Sequence, residues 1–305
     1  MRTPLLSCAL VALAGCNLHP SNNEEGAPIN LARAGEHVVV TRGSAGLEVL
    51  RASDGQSVSK LAADGDADSY DDVTFSGAFV VALDADDGWL RVLALDAAGK
   101  LTPIGDPTSV AVGPYSGVSA RAGRVVVSGG TCEISLFSIS DAGALRSLGT
   151  AEAFRGQPDV TLTEDGAAAI LSTHFSGSES EFKDGAEFGI SALSVGKAAA
   201  ILDTLGLKGA GFTDGGGTPA SWPTRTGVVG STAYVAHGGG LSLVLVDADY
   251  RLTALAALDL PFAAVDVAVS GDTAYVVGAA PASLATVDVR DPSAPALVSV
   301  ESLKG

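Results

Sequence analysis

The sequence predicts an all-β protein, a β-propeller in which six four-stranded blades form a ring. Three observations predict this fold class. Short apolar runs recur with a period of about 42 residues, which is typical of propeller blades. Turns rich in Gly, Asp and Ala separate the runs, and no segment shows the apolar spacing of an amphipathic helix. Hydrophobic residues make up 47% of the chain, as expected for blades that are covered on both faces.

The four strands of each repeat can be read in order. The first is rich in small residues, as in DVTFSG, GVSARAG and VDVAVSG, which suits the crowded axis of a ring. A glycine turn leads into an apolar second strand, a third apolar strand follows, and a shorter fourth strand closes the unit. The second strands read HVVV, AFVVAL, RVVV, AAAIL, TAYVA and TAYVV, and the third read LEVL, LRVLALD, ISLFSIS, FGISALSV, LSLVLVD and LATVDV.

The turn glycines determine the number of blades. Their successive spacings are 42, 46, 43, 64 and 41 residues, and the long spacing exceeds a typical repeat by only about half a blade. We therefore interpret it as two insertions, over residues 174–188 between the second and third strands and over residues 206–223 before the next blade. Six blades are predicted, with seven as the alternative. The glycines are Gly35, Gly77, Gly123, Gly166, Gly230 and Gly271.

The first residues predict a location in the cell envelope. One arginine precedes an apolar run over residues 5–14, a pattern that is typical of a secretory signal peptide and too short to span a membrane. The run ends in LAGC, which resembles the lipobox of bacterial lipoproteins and implies cleavage before Cys16 and lipidation of that cysteine. By resemblance to enterobacterial sorting, Asn17 favours the outer membrane, on its periplasmic or surface face. The predicted parts are a signal peptide (1–15), the lipidated cysteine with a flexible tether (16–27) and the propeller domain (28–305).

Charge and cysteine content limit the partners. The formal net charge of −17 opposes binding to nucleic acid, and it opposes contact with anionic membranes other than through the lipid. Three cysteines occur in the chain, and Cys8 leaves with the signal peptide while Cys16 carries the lipid. Cys132 then stands alone in the mature chain, and we interpret it as a small buried hydrophobic residue.

The last repeat has a more specific pattern. DVAVSGDTAYVVG followed by LATVDVRDPSAPALVSV resembles the LVIVD repeat of bacterial cell-surface propellers over residues 264–300. A weaker copy of the pattern covers residues 228–258. The resemblance implies an extracytoplasmic propeller that binds another molecule. It carries over no catalytic residue, because Asp288, Asp291 and Pro292 shape a strand end and its turn.

An acidic segment is a candidate calcium site. Residues 64–72 read DGDADSYDD, where aspartates alternate as the first, third and fifth ligands of a calcium loop do. Ser69 stands where such a loop needs glycine, and Phe75 stands where it needs a bidentate glutamate. A solvated acidic loop is therefore the alternative interpretation. The potential ligands are Asp64, Asp66, Asp68, Tyr70 through its carbonyl oxygen, and Asp72.

Further candidates fall on loops that would share one rim of the ring, where binding residues usually collect. His174 and His237 occupy near-equivalent positions in their repeats and could serve a base or a metal. Trp222 and Arg225 lie in the longest insertion or directly after it, and an aromatic residue beside an arginine makes a plausible contact anchor. Surface histidines without function, and a tryptophan packed against the propeller edge, are the alternatives.

Two functions stay open at this stage. No nucleophile elbow, metalloprotease motif, sialidase Asp box or quinoprotein docking motif occurs in the sequence. The first function is a lipid-anchored envelope propeller that acts as a binding or scaffold module for a protein or glycan partner. The second is a metal-dependent hydrolase of esters, lactones or glycans with its site on the propeller rim. Calcium is the one cofactor that the sequence suggests.

Overall fold

A computed structural model describes the propeller domain and gives an all-β structure. It describes residues 30–63, 69–112, 116–129, 133–152, 159–174, 188–196, 199–207, 225–279 and 282–303. Within these ranges, twenty-five strands and one short 3-10 turn (Gly43–Ala45) form the regular structure. No helix in this part of the chain is long and apolar enough to cross a membrane.

The first three blades use strands β1 to β13. Blade one consists of β1 (Leu31–Ala34), β2 (His37–Thr41), β3 (Leu47–Arg51) and β4 (Ser57–Leu61). Blade two consists of β5 (Asp72–Ser76), β6 (Phe79–Asp84), β7 (Trp89–Leu95), β8 (Leu101–Pro103) and β9 (Thr108–Ser109). Blade three consists of β10 (Gly117–Arg121), β11 (Arg124–Ser128), β12 (Glu133–Ile139) and β13 (Leu145–Glu152).

The last three blades use strands β14 to β25. Blade four consists of β14 (Val160–Leu162), β15 (Ala168–His174), β16 (Phe188–Ser194) and β17 (Ile201–Gly206). Blade five consists of β18 (Arg225–Val229), β19 (Thr232–His237), β20 (Gly240–Val246) and β21 (Leu252–Asp259). Blade six consists of β22 (Ala264–Ser270), β23 (Thr273–Ala279), β24 (Ala282–Asp288) and β25 (Ala296–Ser302).

The predicted six blades of four strands are confirmed. Every blade is an antiparallel sheet of consecutive strands, and in the described residues no blade borrows a strand from another. All six predicted turn glycines have a left-handed backbone, with φ between 57° and 71°, a conformation that costs glycine least. Both predicted insertions fall where expected, between β15 and β16 and between β17 and β18.

Blade two differs in detail from the predicted pattern. Its outer edge is split, because β8 and β9 both pair with β7. Pro107 lies between these two short strands, and proline cannot donate the main-chain hydrogen bond that a continuous strand would need there. The outer strand is therefore interrupted without any change in the number of blades.

The core of the protein lies between the blades. An apolar cluster joins each of five neighbouring pairs, from blades one and two through to blades five and six. The sixth seam, between blade six and blade one, has no such shared cluster among the described residues. On that side of blade six, Val277 and Leu284 pack only with residues of their own blade and with Leu303. Among the described residues, this seam therefore has less apolar packing than the other five.

Candidate ligand site at the axis of the ring

The innermost strands of all six blades begin at one end of the axis. In five blades the residue at this level lies four positions before the last residue of the inner strand, and in blade four it lies three positions before Leu162. In a closed ring these six positions come together, because the inner strands are the ones that converge on the axis. The six residues are Asn30, Asp72, Gly117, Asp159, Arg225 and Asp266.

These strand ends surround a cavity of about 270 Å³ to which every blade contributes. Its wall combines charged groups with the hydroxyl groups of Thr74, Ser119, Thr161 and Thr226. Small apolar residues from the inner strands complete the wall. A cavity with a few convergent polar groups is the usual form of a small-molecule site.

Arg225 is the cationic centre of this wall. Its side chain is only 18% exposed, and its Nη1 lies 3.1 Å from Asp159 Oδ1 and 3.6 Å from Asp72 Oδ2. Burial alone would lower the pKa of Arg225, but the negative charges of Asp72, Asp159 and Asp266 outweigh burial and raise that pKa above its ordinary value. The guanidinium is therefore permanently charged and fixed in place.

Two of the aspartates also bind the next blade along the ring. Asp72 Oδ2 accepts a hydrogen bond from the Val118 amide at 2.8 Å, and Asp72 also accepts one from the Asn30 side chain. Asp159 Oδ2 accepts one from the Thr226 amide at 2.6 Å. Each carboxylate thus satisfies a buried main-chain N–H group of its neighbour, which would otherwise cost stability.

Asp266 occupies the equivalent position in blade six but has fewer partners. In the described part of the chain, its carboxylate accepts one hydrogen bond, from the amide of Val267 at 2.7 Å. The amide that would correspond in blade one belongs to Leu31, and it donates instead to Asn30 Oδ1 at 2.6 Å. Asp266 therefore lies half-buried on the cavity wall with acceptor capacity to spare.

Two of these carboxyl groups have raised pKa values. Burial raises the pKa of Asp266 to about 7, and the charges of Asp159 and Asp72 add to this effect against the opposing charge of Arg225. Burial likewise raises the pKa of Asp159 to about 6, although Arg225 and the Thr226 amide lower it. One guanidinium does not fully compensate the negative charge at this end of the axis.

Thr226 adds a polar atom that lacks a partner. The residue is 5% exposed and lines the cavity. Its Oγ1 atom is buried and has no hydrogen-bond partner among the described residues. An unsatisfied buried hydroxyl costs stability unless a water or a ligand completes it.

The structure describes only two of the five predicted calcium ligands, Tyr70 and Asp72. Asp64, Asp66 and Asp68 lie outside the described residues. The side chain of Tyr70 is fully buried in the apolar cluster between blades one and two. Asp72 points to the axis, where Arg225, Asn30 and the Val118 amide already contact its carboxylate. Among the residues with described positions, no group of three or more His, Cys, Asp or Glu could hold a metal ion. Calcium stays a prediction.

The residues predicted to share one rim of the ring lie in different places. Arg225 belongs to the axial cavity rather than to an outer loop. His237 was expected on the rim, yet its side chain is 2% exposed, with Nδ1 accepting from the Gly239 amide at 3.1 Å and Nε2 2.9 Å from Ser242 Oγ. It therefore stabilises the turn between β19 and β20. His174 ends β15, but its side chain lies outside the described part, as do Trp222 and Cys132.

Sequence reasoning missed Asp159 and Asp266 as site residues, although a signal for one of them exists. Asp159 directly precedes β14, the first strand of its repeat, and Asp266 is the third residue of β22. Aligning the repeats on their turn glycines would have placed Asp266 at one level of the ring with Asn30, Asp72 and Arg225, each five residues before its glycine. Asp159 lies seven residues before Gly166, so this alignment would not have found it.

Comparisons with known proteins agree with this architecture. The LVIVD repeat family matches residues 263–300, which covers most of blade six and confirms the resemblance seen in the sequence. A search of curated proteins found no match. Several solved structures share the fold at low sequence identity.

Three of these structures illustrate the likeness. A protein from Lactobacillus plantarum is 18% identical, with a TM-score of 0.71, and the match covers 90% of this chain and 84% of that one. A putative 6-phosphogluconolactonase from Bacteroides uniformis is 13% identical, with a TM-score of 0.71 and coverages of 91% and 86%. The periplasmic gluconolactonase of Pseudomonas aeruginosa is 16% identical, with a TM-score of 0.69 and coverages of 90% and 85%. The chain is thus a six-bladed β-propeller that carries an LVIVD repeat in its last blade.

Proposed function

We propose that this protein is a lipid-anchored cell-envelope propeller that binds the end of a glycan in its axial cavity. The observation that carries the proposal is the cavity itself, where Arg225, Asp72, Asp159 and Asp266 converge from four different blades. A protein ligand would need a larger, flatter surface than this opening provides. The cavity instead suits one sugar-sized group.

The chemistry of the wall supports a ligand with many hydroxyl groups. Carboxylates accept hydrogen bonds from hydroxyls, and the guanidinium of Arg225 donates them. The unpartnered hydroxyl of Thr226 can do either. A sugar presents donors and acceptors around a compact ring, so it can complete several of these groups at once.

The envelope location rests on the first residues of the chain. The signal-like run and the LAGC sequence before Asn17 support lipidation of Cys16 and an outer-membrane destination. More than one acyl chain would hold the protein firmly on the membrane. The test is metabolic labelling with a fatty-acid analogue: the full chain should be labelled and sediment with outer membranes, and Cys16→Ala should be neither labelled nor membrane-bound. Labelling that persists in Cys16→Ala would contradict the anchor.

The binding proposal is tested by calorimetric titration with defined oligosaccharides, namely chitotriose, cellotriose and maltotriose. We expect one of them to bind, and Arg225→Gln to lose that binding. Arg146→Gln is the matched control, because Arg146 lies exposed on β13, the outer strand of blade three. Recovery of a stoichiometric protein partner in a crosslinked pull-down, with no saccharide bound, would favour the protein-scaffold function instead.

A hydrolase is the second candidate. Two carboxyl groups with raised pKa values, about 6 for Asp159 and about 7 for Asp266, are suited to proton transfer near neutral pH. Among the structurally similar proteins, that from Bacteroides uniformis is named as a putative 6-phosphogluconolactonase and that from Pseudomonas aeruginosa as a gluconolactonase, and this supports a test with gluconolactone. Hydrolysis above the spontaneous rate that falls at least tenfold in Asp266→Asn would establish the activity. The metal-dependent form would further require calcium bound through Asp64, Asp66 and Asp68.

A further inference from the structure

We infer that the group which the axial cavity selects is a protonated primary amine, such as the amino group of an amino sugar. The inference rests on the proposed function and deepens it, because it states which sugar chemistry the cavity prefers. The observation behind this inference is that carboxylates outnumber cations on the cavity wall, and that Asp266 among them has acceptor capacity to spare.

The charge count around the cavity is uneven. Asp72 on β5, Asp159 before β14 and Asp266 on β22 bring three carboxylates, while Arg225 on β18 brings the single cation of the described cavity wall. The residues that β1 and β10 contribute, including Asn30 and Ser119, are uncharged. When all of these groups are ionised, three negative charges and one positive charge give the wall a net charge of −2.

Asp266 is the carboxylate with the fewest partners on the wall. Asp72 and Asp159 both contact Arg225 and both bind an amide of the next blade. Asp266 accepts only the amide of Val267 among the described groups. A donor placed beside Asp266 would therefore supply both a missing hydrogen bond and a missing charge.

A metal ion would not fit this position as well as an amine. The guanidinium of Arg225 lies between the carboxylates and would repel a divalent cation. An ammonium group carries a single charge and three N–H donors, so it can bind a carboxylate and a hydroxyl oxygen together. The unpartnered Oγ1 of Thr226 is a second acceptor on the same wall. An anionic ligand would be repelled by the net negative charge.

The test uses three probes that share one polyol skeleton but differ in charge. Glucamine carries an ammonium group, sorbitol is neutral and gluconate is an anion. Each is titrated calorimetrically at pH 7 into the purified full chain, into Asp266→Asn and into Thr226→Val. Asp272→Asn is the matched control, because Asp272 lies exposed in the turn between β22 and β23, away from the cavity.

We expect glucamine to bind at least about tenfold more tightly than sorbitol, which corresponds to one charge-assisted contact. Asp266→Asn should remove that preference, Thr226→Val should weaken glucamine binding, and Asp272→Asn should leave it unchanged. Binding of the cation should also release protons from the carboxyl cluster, and the measured heat should then depend on the ionisation heat of the buffer.

Each other result has a definite meaning. Equal affinity for glucamine and sorbitol, or tighter binding of gluconate, would overturn the amine inference and leave the proposed sugar site standing. A glucamine preference that survives Asp266→Asn would overturn it as well. If no probe binds at millimolar concentration and the oligosaccharides also fail, the proposed function itself is wrong.

Discussion

Replacing Asp266 by asparagine should make the protein more stable at alkaline pH. The pKa of Asp266 is raised from 3.8 to about 7 by burial and by the neighbouring carboxylates. A raised carboxyl pKa means that the folded protein holds a proton which the unfolded chain has released. The stabilising effect of that proton is complete below pH 3.8 and is lost as the pH rises through 7. Asparagine keeps the shape of the protonated group and never ionises.

The size of the effect follows from the two pKa values. Each pH unit between them is worth about 1.4 kcal/mol, so the full difference is about 4 kcal/mol at most. Relaxation around Arg225 and water in the cavity reduce this figure, and we expect a gain of between about 1 and about 4 kcal/mol at pH 8. The gain should shrink to near zero at pH 4.

The assay is urea unfolding of the wild type, Asp266→Asn and the control Asp272→Asn at pH 4, 6 and 8. Comparing variants at each pH removes the contribution of all other titrating groups. A variant that is less stable than the wild type at pH 8 would refute the reasoning, since it would mean that the Asp266 charge stabilises the fold through Arg225. An equal gain in Asp272→Asn would show that the effect is one of overall charge.

Three further predictions follow from the described contacts. Asp72→Ala should lower the free energy of unfolding by about 1–3 kcal/mol, because it leaves the buried Val118 amide without an acceptor and removes one of the two carboxylates that contact Arg225; the exposed residue in Asp86→Ala is the control, and equal urea midpoints would contradict the prediction. Burial lowers the pKa of His237 from 6.5 to about 4, so NMR titration should find its ring neutral down to about pH 5, and its contribution to stability should be lost as the pH falls from 6.5 to 4; titration near 6.5 would refute this. Amides of β1 and β22 should exchange with solvent faster than those of β10 and β14, because within the described ranges the seam between blades six and one is the one without a shared apolar cluster; uniform protection would show that this seam is closed.

Much of the fold could be predicted from the sequence. The six turn glycines are a local signal, because each stands in the turn between the first and second strands of its blade and has a left-handed backbone there. The long spacing after Gly166 was correctly interpreted as insertions, since half a blade cannot form a stable sheet. The split outer strand of blade two follows from Pro107, a local signal that the sequence analysis did not use. The packing between blade six and blade one depends on segments distant in the chain, which the periodicity of a single repeat does not record.

The candidate site was less predictable. Arg225 was singled out, but for its place beside Trp222 rather than for its position at the start of β18. Asp159 and Asp266 look like ordinary loop acids until the ring brings them to the axis, within reach of a residue in another blade. His237 shows the opposite error, because a histidine at a turn can satisfy main-chain groups instead of facing solvent.

The most direct test of the axial site is an NMR titration that observes the Nε–H signals of the arginine side chains. The full chain, with labelled arginine, is titrated with glucamine, sorbitol and chitotriose, and the signals are assigned with Arg225→Gln and Arg146→Gln. The account predicts that at least one ligand shifts the Arg225 signal while the Arg146 signal stays in place. Binding that leaves the Arg225 signal unchanged would contradict the claim that the ligand enters the axial cavity.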